Sequence, residues 1–290
     1  MDVSLLQVVL LAVIQGLAEL LPVSSSAHVI VAEKLMGLDP SAPAMTFLLV
    51  MLHTGTMFAV ILFFWPKWRA LWQAGVSSTY NYLKHIVIAT FWTGVIGLGL
   101  KFAIEKIILA DSPNAEIEHL FKNLPLIGCS LFAAAILIIV GGIANNRQGA
   151  TATESRPLSN KIASVIGIVQ GLCLPFRGFS RSGATISAAL LQRLPRDQAE
   201  TFSFALAVVL TPPVLLLQIR RLLKATTVDG QTHIELSMFL PGIVGMFFSF
   251  LAGLAALRWL SSWLEHGRWH YFGFYCLAAS AGVWTVNALL

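Results

Sequence analysis

Two short runs of this sequence carry residue types that could do chemistry. The first reads Gln15-Gly16-Leu17-Ala18-Glu19-Leu20-Leu21-Pro22-Val23-Ser24-Ser25-Ser26-Ala27-His28, the second Arg177-Gly178-Phe179-Ser180-Arg181-Ser182-Gly183-Ala184-Thr185. Gln15 and Glu19 stand at i and i+4, so a helix projects both from one face. A carboxylate there could bind a hard divalent cation, Mg2+ or Ca2+, through oxygen, or accept a proton from water or a hydroxyl. Neutralising Arg181 is its plainer use. His28, close behind Ser24 and Ser25, could be a nucleophile, a general acid, or a neutral ring that orients a serine. Ser24, Ser25 and Ser26 could also cap a helix beginning near His28, and a capped helix N-terminus is itself an anion site. Beside Arg181, the residues Gly178, Ser180, Ser182, Gly183 and Thr185 offer backbone and hydroxyl donors of the kind that cradle phosphate.

The surroundings of both runs are apolar. The 290 residues are 57% hydrophobic and 11% charged, against about 25% charged in a soluble domain. An arginine at bilayer depth costs about 2.5–3.5 kcal/mol, so Arg181 calls for an anionic partner, a watery cavity, or both. The net charge of +5 does not point to nucleic acid, because the basic residues fall between apolar stretches, as membrane-surface anchors do. Cys129, Cys173 and Cys276 are odd in number and lack metal-ligand spacing, which argues for small packing residues rather than a disulfide or zinc site. Met1-Asp2 lacks a basic leader, so the first apolar stretch is expected to remain in the mature chain. Trp65, Trp68, Trp72, Trp259, Trp263 and Trp269 fall near span ends and suggest an interfacial belt. His85, His119, His233, His266 and His270 read as interfacial bystanders, and Asp111, Glu116 and Glu118 as part of a solvated loop.

Apolar runs near residues 44–65, 85–104, 124–143, 200–219, 236–257 and 270–290 predict six transmembrane helices. Two further stretches, 3–38 and 161–195, are broken by proline, glycine and polar residues. Such segments are tolerated only where protein buries them or they line a cavity, which predicts two re-entrant helix pairs. Sliding the chain by 155 positions lays Gln15-Gly16-Leu17 on Gln170-Gly171-Leu172, Ser25 on Ser180, Pro40 on Pro195 and Thr46-Phe47 on Thr201-Phe202. The expected architecture is therefore a single all-α integral membrane domain over residues 1–290. Its first repeat spans about 3–143, its second about 161–290, with a linker at about 144–160. Three spans separate equivalent points, so the second copy should be inverted, with the polar tips of the two broken segments meeting. Ten basic residues on one set of loops against seven on the other make the first set cytoplasmic, which would put the mouth of the first broken segment outside.

These residues carry a resemblance. Gln15-xxx-Glu19, the run Pro22 to His28 and the run Gly178 to Thr185, with His53-Thr54-Gly55-Thr56 and Thr201-Phe202-Ser203-Phe204, are similar to the bacterial undecaprenyl-diphosphatase family associated with bacitracin resistance. The likeness spans nearly the whole chain. It implies a multi-pass enzyme of the bacterial plasma membrane that hydrolyses undecaprenyl diphosphate to the monophosphate and inorganic phosphate, recycling the carrier lipid for peptidoglycan and other envelope polymers. Carried onto this chain, Glu19 with Gln15 would hold the divalent ion or activate the attacking group. Ser25 or His28 would be the nucleophile or its helper. Arg181 would clamp phosphate with Ser180, Ser182 and Thr185. The chain departs from the family pattern at Arg177, where a proline is usual, at Tyr275-Cys276, where an arginine usually follows the tyrosine, and at Ala89-Thr90-Phe91-Trp92, where the family has a proline.

The expected partners are a polyprenyl diphosphate lipid and the bilayer, with no nucleic acid, and a homodimer is left open. Two chemical routes stay open: a phosphoenzyme on Ser25 or His28, and direct attack by water activated through Glu19. Two other functions compete. A transporter or flippase for a lipid phosphate or other anion would use the same inverted repeat, with Arg181 binding without chemistry. A membrane scaffold would use the polar tips only for packing, against the expense of burying Glu19 and Arg181.

Overall fold

The computed structural model describes residues 3–39, 42–108, 123–149, 156–228, 231–232 and 239–289. Ten α-helices follow in order: α1 (Leu5–Leu20), α2 (Ser25–Leu35), α3 (Pro43–Gln73), α4 (Val76–Ala103), α5 (Leu124–Gly149), α6 (Asn160–Cys173), α7 (Arg181–Leu191), α8 (Arg196–Thr226), α9 (Phe239–Glu265) and α10 (Trp269–Leu289). A π-helical turn, Ile104–Ile108, continues α4. Thr227–Val228 pairs with Gln231–Thr232 in a two-residue antiparallel ladder, the one departure from all-helical structure among the described residues. Asp111, Glu116, Glu118, His119 and His233, like Met1-Asp2, lie outside the described residues.

Six helices are long and apolar enough to cross a bilayer, one on each apolar run: Pro43–Gln73, Val76–Ile107, Leu124–Arg147, Arg196–Arg220, Phe239–Glu265 and Trp269–Leu289. The shortest has 21 residues, about 31 Å at 1.5 Å per residue, enough for the roughly 30 Å apolar core. The other four helices fall short of it, at 16 and 11 residues for α1 and α2 and 14 and 11 for α6 and α7. Each short pair packs on itself, and α7 is buried along its length from Ser182 to Leu190. The polar residues of the two broken stretches, among them Gln15, Ser24, Gln170, Ser180 and Ser182, are thus buried in protein, while apolar side chains such as Leu6, Leu35 and Leu172 take the exposed positions.

Local signals set the helix starts. Ser4 and Gln7 form a reciprocal capping box at α1, the Ser159 hydroxyl accepts from the Ile162 N–H at α6, and Pro43 takes the first turn of α3, where its missing N–H costs nothing. The chain runs twice through a short pair followed by three long helices. In the first half α1 packs on α9 of the second; in the second, α6 packs on α4 of the first, while α3 meets α8 and α5 meets α10. Glycines make the short-to-long contacts close. A Cβ on Gly16 would stand 2.6 Å from both the Ser249 carbonyl and the Ala252 methyl of α9, and one on Gly171 would stand 2.7 Å from Ile96 of α4. Small residues at such crossings let backbones approach where lipid supplies no hydrophobic drive. Hydroxyls then bridge helices: Ser249 donates to the Leu52 carbonyl at 2.8 Å, Thr93 to that of Gly167 at 3.0 Å, and Ser280 to that of Gly128 at 2.8 Å.

Two expectations about side chains need correction. Cys129 is exposed on the outer face of α5, whereas Cys173 and Cys276 are buried. Trp269 is not part of an interfacial belt. The turn at Gly267 carries it inward, to 1% exposure, where its indole N–H donates to Ser187 of α7 at 2.9 Å.

Candidate active site

Helix α1 presents Gln15 and Glu19 on one face, as their spacing requires, with Gln15 Nε2 donating to Glu19 Oε2 at 3.3 Å. The chain then turns through Leu21-Pro22-Val23-Ser24 and re-enters a helix at Ser25. That reversal brings the Ser25 hydroxyl back to donate to the same Glu19 Oε2 at 2.5 Å. From the other broken segment, Arg181 Nη2 donates to Glu19 Oε1 at 3.2 Å, and Ser182 Oγ donates to the Leu21 carbonyl at 3.3 Å. The polar tips of the two pairs therefore meet, 162 residues apart in sequence.

The carboxylate and guanidinium are each about one-fifth exposed. Burial at that level strengthens their attraction and leaves both reachable from one cavity of about 900 Å³. Arg181 is only half engaged: its Nη1 is buried and finds no hydrogen-bond partner among the described residues. A buried, unanswered guanidinium N–H is costly unless an anion arrives to accept from it.

Gln15, Glu19, Ser24, Ser25, Ser26, Ser180, Arg181 and Ser182 line this cavity, with Arg177 and His53. Leu49, Leu174, Phe176, Leu210, Val214 and Leu215 give it an apolar side, and Leu174 and Val214 are exposed on the protein surface. Three residues singled out from sequence are placed elsewhere. Gly178 shapes the loop before α7, with φ of +113°, which side chains rarely adopt, and packs against the Ile127 carbonyl. Thr185 lies one turn below Arg181, buried, bonded to the Arg181 carbonyl at 2.8 Å and the Ser203 hydroxyl at 2.6 Å. His28 turns away from the cavity lining, with Nδ1 on the Ser24 carbonyl and Nε2 on the Tyr275 hydroxyl, each at 2.8 Å.

Two helix N-termini open on the cavity, at Ser25 in α2 and Arg181 in α7. The serine cap expected at the first of them is absent, and a serine caps the second. Ser180 caps α7 by accepting from the Gly183 N–H at 3.2 Å, but the Ser24 side chain makes no cap bond, its backbone being held at φ of +68°. The first-turn amides of α2 thus keep their donors for another acceptor, and the dipoles of both helices favour an anion between them.

His53 and Tyr275 join the arrangement without a role legible from their place in the sequence. His53 donates Nδ1–H to the Leu49 carbonyl at 2.8 Å, and its Nε2 lies 3.9 Å from Glu19 Oε2. A lone histidine inside a helix of lipid-spanning length was the available signal, since an ionisable group there is functional by default.

For a divalent ion, Glu19 and Gln15 offer one carboxylate and one amide oxygen at the cavity edge. Among the described residues no three His, Cys, Asp or Glu side chains gather into a metal cage. A donor set this sparse suits an ion such as Mg2+, which keeps several waters and is held by one or two carboxylates plus substrate phosphates.

The family model described as bacitracin resistance protein BacA matches residues 8–282. A protein named undecaprenyl-diphosphatase 2 from Acinetobacter baylyi is 56% identical over 286 residues, covering 98% of both chains. Proteins named undecaprenyl-diphosphatase from Rhodopirellula baltica and Parabacteroides distasonis are 31% and 29% identical, over 98% and 99% of each chain. With the match running through both polar tips and all six long helices, the chain belongs to the BacA bacitracin resistance protein family.

Proposed function

We propose that this chain hydrolyses undecaprenyl diphosphate to undecaprenyl phosphate and inorganic phosphate in the bacterial plasma membrane, returning the carrier lipid to envelope synthesis. The names of its full-length relatives support the substrate. The observation that carries the chemistry is the Ser25–Glu19–Arg181 chain, with a hydroxyl at 2.5 Å and a guanidinium at 3.2 Å on the two oxygens of one carboxylate.

In this reading the diphosphate enters the cavity while the polyprenyl tail stays along its apolar side or in lipid. Arg181, the Ser180 hydroxyl and the α2 and α7 N-termini receive the phosphates, while Ser182, whose one hydroxyl hydrogen goes to the Leu21 carbonyl, holds the two tips together. Such donors act through positioning and charge neutralisation, which supply most of the catalysis in phosphoryl transfer. Ser25 Oγ attacks the terminal phosphorus, its proton passes to Glu19 Oε2, and the anhydride P–O bond breaks to release undecaprenyl phosphate. Water then attacks the phosphoserine, the Ser25 oxygen recovers its proton from Glu19, and phosphate leaves. Glu19 and Gln15 would hold a divalent ion, Mg2+ or Ca2+, which when bound supplies further charge neutralisation. Thr185, hydrogen-bonded to the Arg181 backbone, supports the start of α7 rather than the substrate.

We read residues 3–143 and 161–290 as two inverted copies joined by 144–160, a reading supported by the repeated helix order and the reciprocal α1–α9 and α4–α6 contacts. Every group in the scheme comes from one chain, so a homodimer would leave the chemistry unchanged. The carrier reading is not favoured, because a site that only binds an anion gains nothing from a carboxylate bonded to a serine. In proteoliposomes supplied with a long-chain isoprenyl diphosphate, the hydrolase releases phosphate in proportion to lipid consumed. Lipid movement without phosphate release would support the carrier instead.

A further inference from the structure

Ser25 can reach Glu19 only if the chain reverses sharply between α1 and α2, and the means of holding that reversal are unusual. The turn runs through a proline and ends at Ser24 with φ of +68° and ψ of 96°, a conformation that strains a non-glycine residue and persists only where its surroundings hold it. It has no cap bond from its own serine, and the first backbone bond of α2, from the His28 N–H to the Ser24 carbonyl, is long at 3.4 Å. Three side chains grip its carbonyls instead. Ser182 of α7 donates to Leu21 at 3.3 Å, Cys276 of α10 to Pro22 at 3.3 Å, and the His28 ring to Ser24 at 2.8 Å.

The protonation of that ring follows from its partners. A carbonyl can only accept, so Nδ1 carries the hydrogen, and Nε2 of the neutral ring accepts from the Tyr275 hydroxyl at 2.8 Å. The two rings also stack, 5.7 Å between centroids and 13° from parallel. Tyr275 stands on α10, half exposed beside the exposed Tyr271 and Phe274. His28 is its acceptor. Neither ring is among the residues lining the cavity.

We propose that Tyr275 is a positioning residue for the reaction: it locks the tautomer and orientation of His28, and His28 holds the Ser24 carbonyl so that Ser25 faces Glu19. The assignment rests on the hydrolase reading, with Ser25 as the attacking group. It makes His28 a structural donor rather than a nucleophile, and it couples α10 to the geometry of the serine.

The test uses the full-length protein in detergent, with phosphate release from a long-chain isoprenyl diphosphate as the readout. Asparagine places an amide N–H where Nδ1–H stood but can neither be phosphorylated as histidine can nor shuttle a proton. His28→Asn is therefore expected to keep kcat within about ten-fold of wild type, while His28→Ala falls about 100-fold or more. Tyr275→Phe keeps the stack and loses the hydroxyl, and should lower kcat about ten-fold, the effect of one orienting hydrogen bond, with KM within about two-fold. If His28→Asn is as inactive as His28→Ala while both elute as folded protein, His28 reacts itself and the proposal fails. It fails equally if Tyr275→Phe has wild-type kcat. Nitrogen-15 NMR of His28 in the wild-type protein decides the matter without any variant: protonation at Nδ1 supports the relay and protonation at Nε2 overturns it. Failure of the hydrolase reading looks different, since the wild-type protein would then release no phosphate, or Ser25→Ala would release it at full rate.

Discussion

Removing Arg181 and Glu19 singly and together tests whether they form one charge pair. At 3.2 Å and an effective dielectric of about 20, two unit charges attract by about 5 kcal/mol. Desolvation offsets much of that gross figure, yet leaving one member of a buried pair alone costs about 3–5 kcal/mol. Arg181→Ala strands a carboxylate whose remaining close donors are Ser25 and Gln15. Glu19→Ala strands a guanidinium whose Nη1 already lacks a partner among the described residues. Each single variant should therefore lower the unfolding midpoint in detergent by about 5–8 °C. The double variant removes both charges and should lose clearly less than the sum of the singles. Phosphate release should fall at least about 1000-fold in all three, because stability returns in the double variant but the site does not. Strictly additive losses of stability would show that the two charges do not interact, and a residual activity near wild type in any variant would remove the pair from the chemistry.

Gly16→Val should destabilise the protein by about 1–3 kcal/mol through overpacking against α9, where even a Cβ meets Ser249 and Ala252 at 2.6 Å; thermal unfolding in detergent measures it. Trp269→Phe leaves a buried Ser187 hydroxyl without its indole donor and should cost about 1–3 kcal/mol of stability while phosphate release persists. Chelation should abolish phosphate release, with Mg2+ or Ca2+ restoring it, and release unchanged in chelator would remove the ion from the scheme.

The long helices were legible because lipid imposes a minimum length on them: each apolar run of about 20 residues lies in one helix of 21 to 32 residues, long enough to cross. The broken pairs were legible for the complementary reason, since Pro22, Arg177 and the serines could not face hydrocarbon. Glu19 and Arg181 announced each other through charge, each needing a partner at depth, and Gln15 followed from helical spacing. Directions of side chains were not legible. His28 lies only three residues beyond Ser25, yet a helix start turns its ring towards α10, and nothing in the local sequence names Tyr275, 247 residues away, as its partner. Ser24 belongs to a type that usually caps, but the turn puts it at positive φ, where its hydroxyl makes no cap bond. Cys129 and Trp269 went wrong together, because apolarity places a residue in the membrane region without saying whether it faces lipid or protein. His53 was visible as a lone histidine in a long apolar helix, and only the fold sets its ring 3.9 Å from Glu19.

The most direct measurement is the yield of inorganic phosphate when purified protein is mixed with undecaprenyl diphosphate, for wild type beside Ser25→Ala. One phosphate per diphosphate, with undecaprenyl phosphate as the lipid product and no release by the serine variant, is the expected result. Intact diphosphate after incubation with folded wild-type protein, or equal release by both proteins, would contradict a Ser25–Glu19–Arg181 phosphatase.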